Sequence, residues 1–433
     1  MSTSQKAHIC FVIPLAYSLY NANTSYNFGG AEVRSSLFAK ALARHKDFKV
    51  SVIVNNHGHT SSEMWDGVAV YAHTGYYDDS HWISQSRQKM GLYFVRTSTF
   101  PYIKIKPLTP KTLLQIGLLG LRRLFQQVRS SMNPHKRIIL QDKVLAFDKY
   151  AIYDIVNADI YCVFGTRISV SEIVAFCKAR NKKFVFFGAS DRNFSSLDND
   201  DPLKSKDAKS VHSTKFVIDA ASLIIAQTSQ QSDLVRLNFD KEALVIRNPI
   251  ALDDLQSHTS EKYALWIGRS HPEKDPLLLI KLAIACPAIH FVMIMNQTLQ
   301  SLHNEILAQC PDNVTVIENV AYADIETYFA NALVFINTSP LEGFPNTFLQ
   351  AGKYSKPLLT FAVDPDGYIT KNNCGFVANG DFETMKRALE QFISDHKWRK
   401  ELGKNNYHYV QQHHNLTDKV KQLAQVLKSL DKQ

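Results

Sequence analysis

Apolar runs of strand length alternate with stretches of helical periodicity along most of the chain. In the first half, this pattern predicts strands at residues 8–14, 50–54, 68–72, 160–164, 183–187, 222–226 and 243–246, and helices at 30–44 and 169–180. Regular alternation of strands and helices is typical of parallel sheets that carry helices on both faces. The first half therefore predicts an α/β fold.

The second half repeats this organisation. The pattern predicts strands at residues 263–267, 290–294, 314–317, 333–337 and 357–360, and helices at 276–285, 299–309, 322–330, 347–354, 385–394 and 416–430. Asn248-Pro249 and a polar stretch at 257–260 interrupt the alternation between the halves. We predict two Rossmann-like, doubly wound domains, residues 1–250 and 251–415, which face a central cleft. The final helix, 416–430, is free to pack back on the first domain.

Composition narrows the class of protein. Hydrophobic residues make up 45% of the chain and charged residues 21%, as in ordinary globular proteins. No apolar run is long enough to span a bilayer, and the polar N-terminus does not resemble a secretory signal. The six cysteines include no Cys-x-x-Cys pair, so we predict reduced core residues and no zinc site. These features predict a cytoplasmic protein.

Positive charge is concentrated in one segment, residues 80–145, which we call the basic insertion. Residues 80–141 contain eleven Lys or Arg and no Asp or Glu, so this stretch carries a charge of +11. Because the net charge of the chain is +9, the remaining residues sum to −2. Residues 110–132 predict a helix with an apolar stripe at three- and four-residue spacing.

A cationic amphipathic helix of this kind suits the surface of an anionic membrane, on the inner face of the cell membrane for a cytoplasmic protein. The predicted membrane-facing residues are Lys104, Lys106, Lys111, Leu118, Arg122, Arg123, Phe125 and Arg129. Alternatively, the stripe packs on the first sheet and the basic face is solvated. Nucleic-acid binding is disfavoured, because the stripe is leucine-rich and no known nucleic-acid module is visible.

Two motifs in the second half combine cations with a helix N-terminus. Gly268-Arg269 follows a predicted strand, and Lys274 comes just before the next helix. A later strand leads into a turn that contains Glu342 and ends at a further helix, whose free N–H groups attract anions. Together they predict a diphosphate site that needs no metal. An Asp-rich stretch at 198–201 is interpreted as a solvated loop.

The order Gly-Arg-x4-Lys followed by Glu-Gly-Phe-Pro-Asn-Thr-Phe-Leu-Gln-Ala-Gly-Lys-Tyr-Ser-Lys-Pro resembles the family-four retaining glycosyltransferases, which have the GT-B fold. Phe28-Gly29-Gly30-Ala31-Glu32 and Val245-Ile246-Arg247-Asn248-Pro249 also match. The resemblance extends from about residue 8 to residue 414 and is stronger in the second half. It implies transfer of a sugar from a nucleotide-diphosphate sugar.

The resemblance also implies roles for matching positions. Arg269, Lys274 and Glu342 are the implied catalytic residues: the two cations bind the pyrophosphate, and the carboxylate lies at the donor sugar. The implied donor-binding residues are Gly29, Gly30, Gly268, Gly343, Phe344, Pro345, Asn346 and Gln350. No cofactor is expected beyond the UDP- or GDP-linked co-substrate.

Two positions depart from the family pattern. The second Glu of the usual Glu-x7-Glu motif is Gln350, whose amide offers one acceptor oxygen where a carboxylate offers two. Where many relatives have a His near the acceptor, this chain has Gly188-Ala189-Ser190-Asp191. Ser190 or Asp191 is the candidate for the acceptor contact, although an Asp that ends a strand also serves as an Asx cap.

The leading functional hypothesis is a retaining glycosyltransferase that acts on a glycan or a polyprenyl-linked oligosaccharide, in surface polysaccharide or glycolipid biosynthesis. The alternative is a non-catalytic nucleotide-sugar-binding protein in which Gln350 marks a decayed site. A third hypothesis is a phosphorylase or epimerase of the same fold; phosphorylases are disfavoured, because they need a pyridoxal-bearing Lys and are much longer.

Overall fold

The computed structural model describes residues 6–21, 23–24, 28–55, 62–73, 92–96, 101–105, 138–140, 143–145, 151–165, 170–195, 208–252, 262–318, 320–322 and 324–432. Its strands are β1 (Ala7–Val12), β2 (Phe48–Asn55), β3 (Ser62–Trp65), β4 (Val68–His73), β5 (Leu92–Arg96), β6 (Pro101–Ile105), β7 (Ile138–Leu140), β8 (Lys143–Leu145), β9 (Ile160–Phe164), β10 (Lys183–Phe187), β11 (Leu223–Ala226), β12 (Leu244–Val245), β13 (Tyr263–Arg269), β14 (Phe291–Asn296), β15 (Val314–Ile317), β16 (Ala332–Asn337), β17 (Leu358–Thr360) and β18 (Gly375–Val377).

Helices connect most of these strands. They are α1 (Gly30–Ala43), α2 (Ala151–Val156), α3 (Val170–Arg180), α4 (Ala208–Ala220), α5 (Ser229–Phe239), α6 (Pro276–Ala285), α7 (Gln300–Gln309), α8 (Ile325–Asn331), α9 (Asn346–Lys353), α10 (Tyr368–Lys371), α11 (Phe382–Ser394), α12 (His396–His414) and α13 (Leu416–Asp431). Short 3₁₀ helices lie at Asp191–Phe194, Pro272–Lys274 and Pro365–Gly367.

Eight of the described strands form the first sheet, in the order β12-β11-β10-β9-β1-β2-β4-β3. All neighbours in it are parallel except β3 and β4. The central strands are buried on both faces, since β1 and β9 contain only buried residues. Apolar clusters cover the two faces, as expected where helices pack on both sides of a parallel sheet.

The second sheet has six strands in the order β15-β14-β13-β16-β17-β18, and every described pair in it is parallel. Apolar clusters again lie on both faces. The two sheets agree with the predicted pair of doubly wound, Rossmann-like units.

The chain crosses between the sheets twice, and the two crossings are bonded to each other. The first crossing follows β12, and the second joins α12 to α13. The Ile250 N–H donates to the His414 carbonyl (2.9 Å), and the Leu416 N–H donates to the Ile250 carbonyl (3.0 Å). Helix α13 then packs in the core of the first sheet through apolar residues such as Leu423 and Leu427.

Several elements differ from the sequence expectations. The hairpin β3–β4 was not predicted; Asp66 and Gly67 form its turn with φ values of 49° and 80°, the left-handed region that two-residue hairpin turns require. Helix α12 was missed because its apolar positions are sparse and polar groups such as Asn406 fill its buried face. Helix α8 begins three residues later than predicted.

Much of the basic insertion lies outside the described residues, including the predicted helix at 110–132 and Lys106, Lys111, Leu118, Arg122, Arg123, Phe125 and Arg129. Two antiparallel hairpins, β5–β6 and β7–β8, are described there, and Lys104 lies in β6. The Asp-rich stretch at 198–201 is likewise outside the described residues. Among the described helices, none combines the length and apolar character needed to cross a membrane.

A glycine in α12 sets how closely this helix approaches the second sheet. A Cβ added at Gly403 would lie 2.0 Å from the Ser355 carbonyl oxygen, which is rigid backbone. Gly→Ala in a helix normally stabilises by about 1 kcal/mol. Here we expect Gly403→Ala to destabilise by about 1–3 kcal/mol, because the helix must move away. Chemical unfolding measures this, with the exposed neighbour change Lys404→Ala as control. A gain in stability would contradict the close packing.

Candidate active site

The candidate site lies at the topological switch point of the second sheet. Strands β13 and β16 are neighbours, while the strands that follow each of them extend to opposite sides. Ligands of doubly wound sheets bind at this place, beyond the carboxyl ends of the two strands, because the connections diverge and leave a crevice. Arg269 ends β13, and the turn after β16 contains Glu342.

Gly268 is required by the packing of Trp266. A Cβ at residue 268 would lie 2.5 Å from the Trp266 ring. The indole is buried, and its N–H donates to the Thr338 hydroxyl (2.8 Å) at the end of the neighbouring strand. The Thr338 hydroxyl in turn donates to the Lys274 carbonyl (2.7 Å). These two hydrogen bonds therefore fix the backbone at Lys274, after β13, relative to the end of β16.

The Lys274 side chain meets Glu342 across the crevice. The Lys274 Nζ contacts the Glu342 Oε1, which also accepts from the Ser339 hydroxyl at 2.8 Å. Both charged side chains are partly buried, with exposed fractions of 24% and 17%. The predicted convergence of this cation and the Glu342 turn is thus present in the structure.

Arg269 is more exposed and lies 3.6 Å from Glu273, which also pairs with Arg192 of the first domain at 2.7 Å. Glu273 therefore lies between two guanidinium groups that come from different sheets. Sequence reasoning missed Arg192, because a single Arg inside a 3₁₀ turn carries no motif. These exposed pairs contribute little stability by themselves.

The turn that follows Glu342 lies against the first domain. A Cβ at Gly343 would lie 2.9 Å from Gln231 Nε2 and 3.0 Å from the Ser190 Cα, so only glycine fits there. Phe344 is buried and stacks on Tyr368 at 5.8 Å between ring centroids. Pro345 is the N-cap residue of α9.

The glycine-rich segment of the first domain contacts the N-terminus of α9. Gly29 caps α1, and its N–H donates to Glu32 (2.9 Å). The Asn346 amide donates to the Gly30 carbonyl at 2.9 Å. The two glycines and the start of α9 therefore come together, as the resemblance implies. Gln350, also on α9, is buried at 8% exposure.

Ser190 and Asp191 follow β10 and face the same crevice. The Asp191 side chain accepts from Gln231 (2.9 Å). Burial raises the pKa of Asp191; the Gln231 hydrogen bond opposes this rise, while Asp366 and Glu342 add to it. The Ser190 hydroxyl accepts from the Arg192 N–H (3.3 Å), so Ser190 caps the 3₁₀ turn, and Asp191 is not the cap.

Arg34, on α1, supports this loop from behind. Its guanidinium donates to the carbonyls of Gly188 (2.8 Å) and Ile246 (2.9 Å) and lies over the ring of Phe187. Burial lowers the pKa of Arg34 to about 9. This residue fixes the ends of two strand connections, and sequence reasoning did not identify it.

Two further contacts join the domains beside the site. Asp366 accepts from the N–H groups of Ser229 (2.9 Å) and Gln230 (3.1 Å) and pairs with Arg247 (3.2 Å). A carboxylate of the second domain thus caps α5 of the first domain. The Phe28 ring meets the Tyr322 ring edge to face at 5.9 Å. Among the described residues, no cluster of three or more His, Cys, Asp or Glu could hold a metal ion.

The comparisons identify the second domain. Residues 250–409 match the family model for glycosyl transferases group 1. This part of the chain is therefore similar to the glycosyl transferases of group 1. The match agrees with the family resemblance found in the sequence for this half of the chain. A search of curated protein sequences finds no significant match.

Solved structures confirm the predicted GT-B fold of the chain. Sucrose-phosphate synthase from Thermosynechococcus elongatus matches with a TM-score of 0.70 and 14% identity over 98% of this chain and 99% of that one. An S. aureus TarM mutant in complex with fondaparinux, α-GlcNAc-glycerol and UDP matches at 0.62 and 13%, over 99% and 100%. The pneumococcal O-GlcNAc transferase GtfA in complex with UDP and GlcNAc matches at 0.61 and 12%, over 98% and 99%.

The two hydrogen bonds of the Thr338 hydroxyl, behind the site, give a stability prediction. Thr338→Val keeps the shape but leaves the Trp266 N–H and the Lys274 carbonyl without their partner. We expect a loss of about 1–3 kcal/mol in the free energy of unfolding. Thr338→Ser keeps the hydroxyl and should cost clearly less. Equal stability of the valine and serine variants, measured by chemical denaturation, would show that the hydroxyl is unimportant.

Proposed function

We propose that this protein is a retaining, metal-independent transferase that moves a hexosyl group from a nucleotide-diphosphate sugar to a glycan or glycolipid. The observation that carries the proposal is the ion pair of Lys274 with Glu342 at the switch point of the second sheet, with Arg269 at the end of the adjacent strand β13. A nucleotide diphosphate in this crevice would contact both cations.

In the structure both cations have carboxylate neighbours. Binding of a diphosphate would draw Lys274 away from Glu342 and Arg269 away from Glu273. The leaving group gains negative charge as the phosphate–sugar bond breaks, so fixed cations stabilise the transition state more than the ground state. Such a contact contributes about 2–4 kcal/mol. Glu342, once released, would accept hydroxyl groups of the donor sugar.

The remaining donor contacts would come from both domains. Gly29 and Gly30 let the first domain approach the diphosphate, and the N–H groups at Gly343 and Phe344 would hold phosphate or sugar oxygens. Gln350 on α9 would bind the ribose through its amide. We propose a UDP- or GDP-linked donor; UDP is present in the TarM and GtfA structures named above.

Retention of the anomeric configuration follows if the acceptor attacks from the face on which the phosphate leaves. The leaving phosphate then accepts the hydroxyl proton, and the chain needs no nucleophile. Asp191, buried beside the crevice with Ser190, would receive a hydrogen bond from an acceptor hydroxyl.

The role of the two cations can be tested with a panel of UDP- and GDP-sugars. We expect Arg269→Ala and Lys274→Ala each to lower kcat by roughly 30- to 1,000-fold, because each removes charge stabilisation in the transition state. Arg236→Ala and Lys400→Ala, which change exposed residues far from the crevice, should leave turnover unchanged. Full activity of both site variants would refute the proposal. Donor binding without turnover in the unmodified protein would favour a non-catalytic nucleotide-sugar-binding protein.

We further propose that the acceptor is a polyprenyl-linked oligosaccharide and that the basic insertion contacts an anionic membrane during surface polysaccharide or glycolipid assembly. The support is the charge of the insertion, +11 over residues 80–141 with no acid, together with its predicted apolar stripe. Such a surface would bring the cleft close to an acceptor held in the membrane, on the cytoplasmic face.

Vesicle flotation tests the membrane contact. We expect the protein to float with vesicles that contain anionic lipid at low salt, and to be released as salt screens the charges. Replacing Arg122, Arg123 and Arg129 with Glu should abolish flotation without changing turnover of a soluble acceptor. A protein that stays at the bottom at low salt would refute the proposal.

A further inference from the structure

Four side-chain amides connect Asp191 to the Gly29–Gly30 segment. They belong to Gln231, Gln227, Asn248 and Asn346, and we call them the amide relay. We infer that the amide relay is a positioning device, which fixes the Asp191 carboxylate in the cleft when the Gly29–Gly30 segment contacts α9. This inference rests on the proposed glycosyl transfer.

The hydrogen bonds of the relay start from the Gln231 NH₂ group, which donates to Asp191 on one side and to the next amide on the other. In order, Gln231 donates to Asp191 (2.9 Å) and to Gln227 (3.1 Å), Gln227 donates to Asn248 (3.0 Å), Asn248 donates to Asn346 (2.8 Å), and Asn346 donates to the Gly30 carbonyl (2.9 Å). The chain thus links a loop of the first sheet, α5, the first crossing, α9 and the start of α1.

Main-chain groups fix the orientation of the amides. The Gln227 N–H donates to the Gln231 side-chain oxygen (2.9 Å), so the Gln231 NH₂ group must point towards Asp191. Asn248 also donates to the Phe344 carbonyl (3.3 Å), which holds its NH₂ group towards the second domain. A flipped amide would bring two donors or two acceptors together. Each amide therefore has a single favourable orientation, which depends on its neighbours.

Burial makes the relay cooperative. Gln231 is fully buried, and Gln227, Asn248 and Asp191 are between 2% and 5% exposed. A buried polar group that loses its partner bears its full desolvation cost, so breaking one bond disturbs the orientation of the next. A network of this kind favours one arrangement of all its members.

The relay lies directly beneath the turn that contains Glu342. Gly343 is in contact with Gln231, Gln227 and Ser190, since a Cβ there would approach all three within 3.0 Å. One oxygen of Asp191 binds Gln231, and the other has no hydrogen-bond partner among the described residues. That oxygen is available to a sugar hydroxyl in the crevice.

The first test is a double-mutant cycle on the full chain. Gln231→Leu and Asn346→Ala change opposite ends of the relay, and each should lower kcat roughly ten- to hundredfold. Because the relay acts as a unit, the double variant should be little worse than the poorer single variant. The control is Gln230→Leu, an exposed neighbour on α5, which should keep full activity and combine additively with Asn346→Ala. Additive effects of Gln231→Leu and Asn346→Ala would overturn the inference.

The second test is the pH profile of kcat. The Gln231 hydrogen bond lowers the pKa of Asp191, so its removal raises that pKa, and the acidic limb of the profile should move to higher pH in Gln231→Leu. Glu342 and Asp366 of the second domain also act on this carboxylate and are unchanged in the variant, and the adjacent Arg192 pairs with Glu273 instead. A limb in the same place as in Gln230→Leu would show that Gln231 does not position Asp191.

The outcomes of these experiments distinguish failure of the inference from failure of the proposed function. A protein that turns over none of the donors refutes the glycosyl transfer itself. A protein that is active, but equally so after Gln231→Leu, refutes only the relay. If Gln231→Leu does not fold, Asn346→Ala replaces it, because Asn346 is only half-buried. The acidic limb of the kcat profile should then move to higher pH in Asn346→Ala, and a limb that does not move overturns the inference.

Discussion

Asn248 connects the parts of the molecule on which the site depends. Its side chain accepts from Gln227 and donates to Phe344 and Asn346, and its carbonyl accepts from the buried ring of His414 (2.7 Å). Burial lowers the pKa of His414 to about 3, so the ring is neutral and its Nδ1–H is the donor. One residue therefore bonds both chain crossings and both domains.

The chemistry of the site depends on this arrangement, because its groups come from different sheets. Lys274 and Glu342 are brought together by neighbouring strands of the second sheet, which requires only local folding. Asp191 and Gly30 belong to the first domain; Gly30 contacts Asn346 on α9, and Ser190, next to Asp191, contacts the turn at Gly343. The local part of the site is thus fixed by strand topology, and the shared part is fixed by buried hydrogen bonds.

The same division explains what could be predicted from the sequence. The strands of both sheets have continuous apolar runs, so their positions and the α/β fold followed from the pattern. The cationic motifs were identified because two local patterns have a recognisable chemistry. One is a Gly-Arg pair at the end of a strand, and the other is the N-terminus of a helix that follows a turn. Gln231, Gln227 and Arg34 were not identified, since an isolated amide or Arg on a helix resembles any surface residue until its burial is known. Helix α12 was missed for a related reason: its buried face contains Asn406 and His414, which a search for apolar periodicity does not count.

The return of α13 to the first sheet has a consequence for how the chain folds during synthesis. Val420, Leu423, Leu427 and Leu430 belong to the same apolar cluster as β1 and β2, although they are made nearly four hundred residues later. The first domain thus leaves the ribosome with part of its interior uncovered, and it stays incomplete until the second domain has been made. Ending the chain at residue 415 would remove α13. The deletion would then expose the core of the first domain, although α13 adjoins the second domain in sequence.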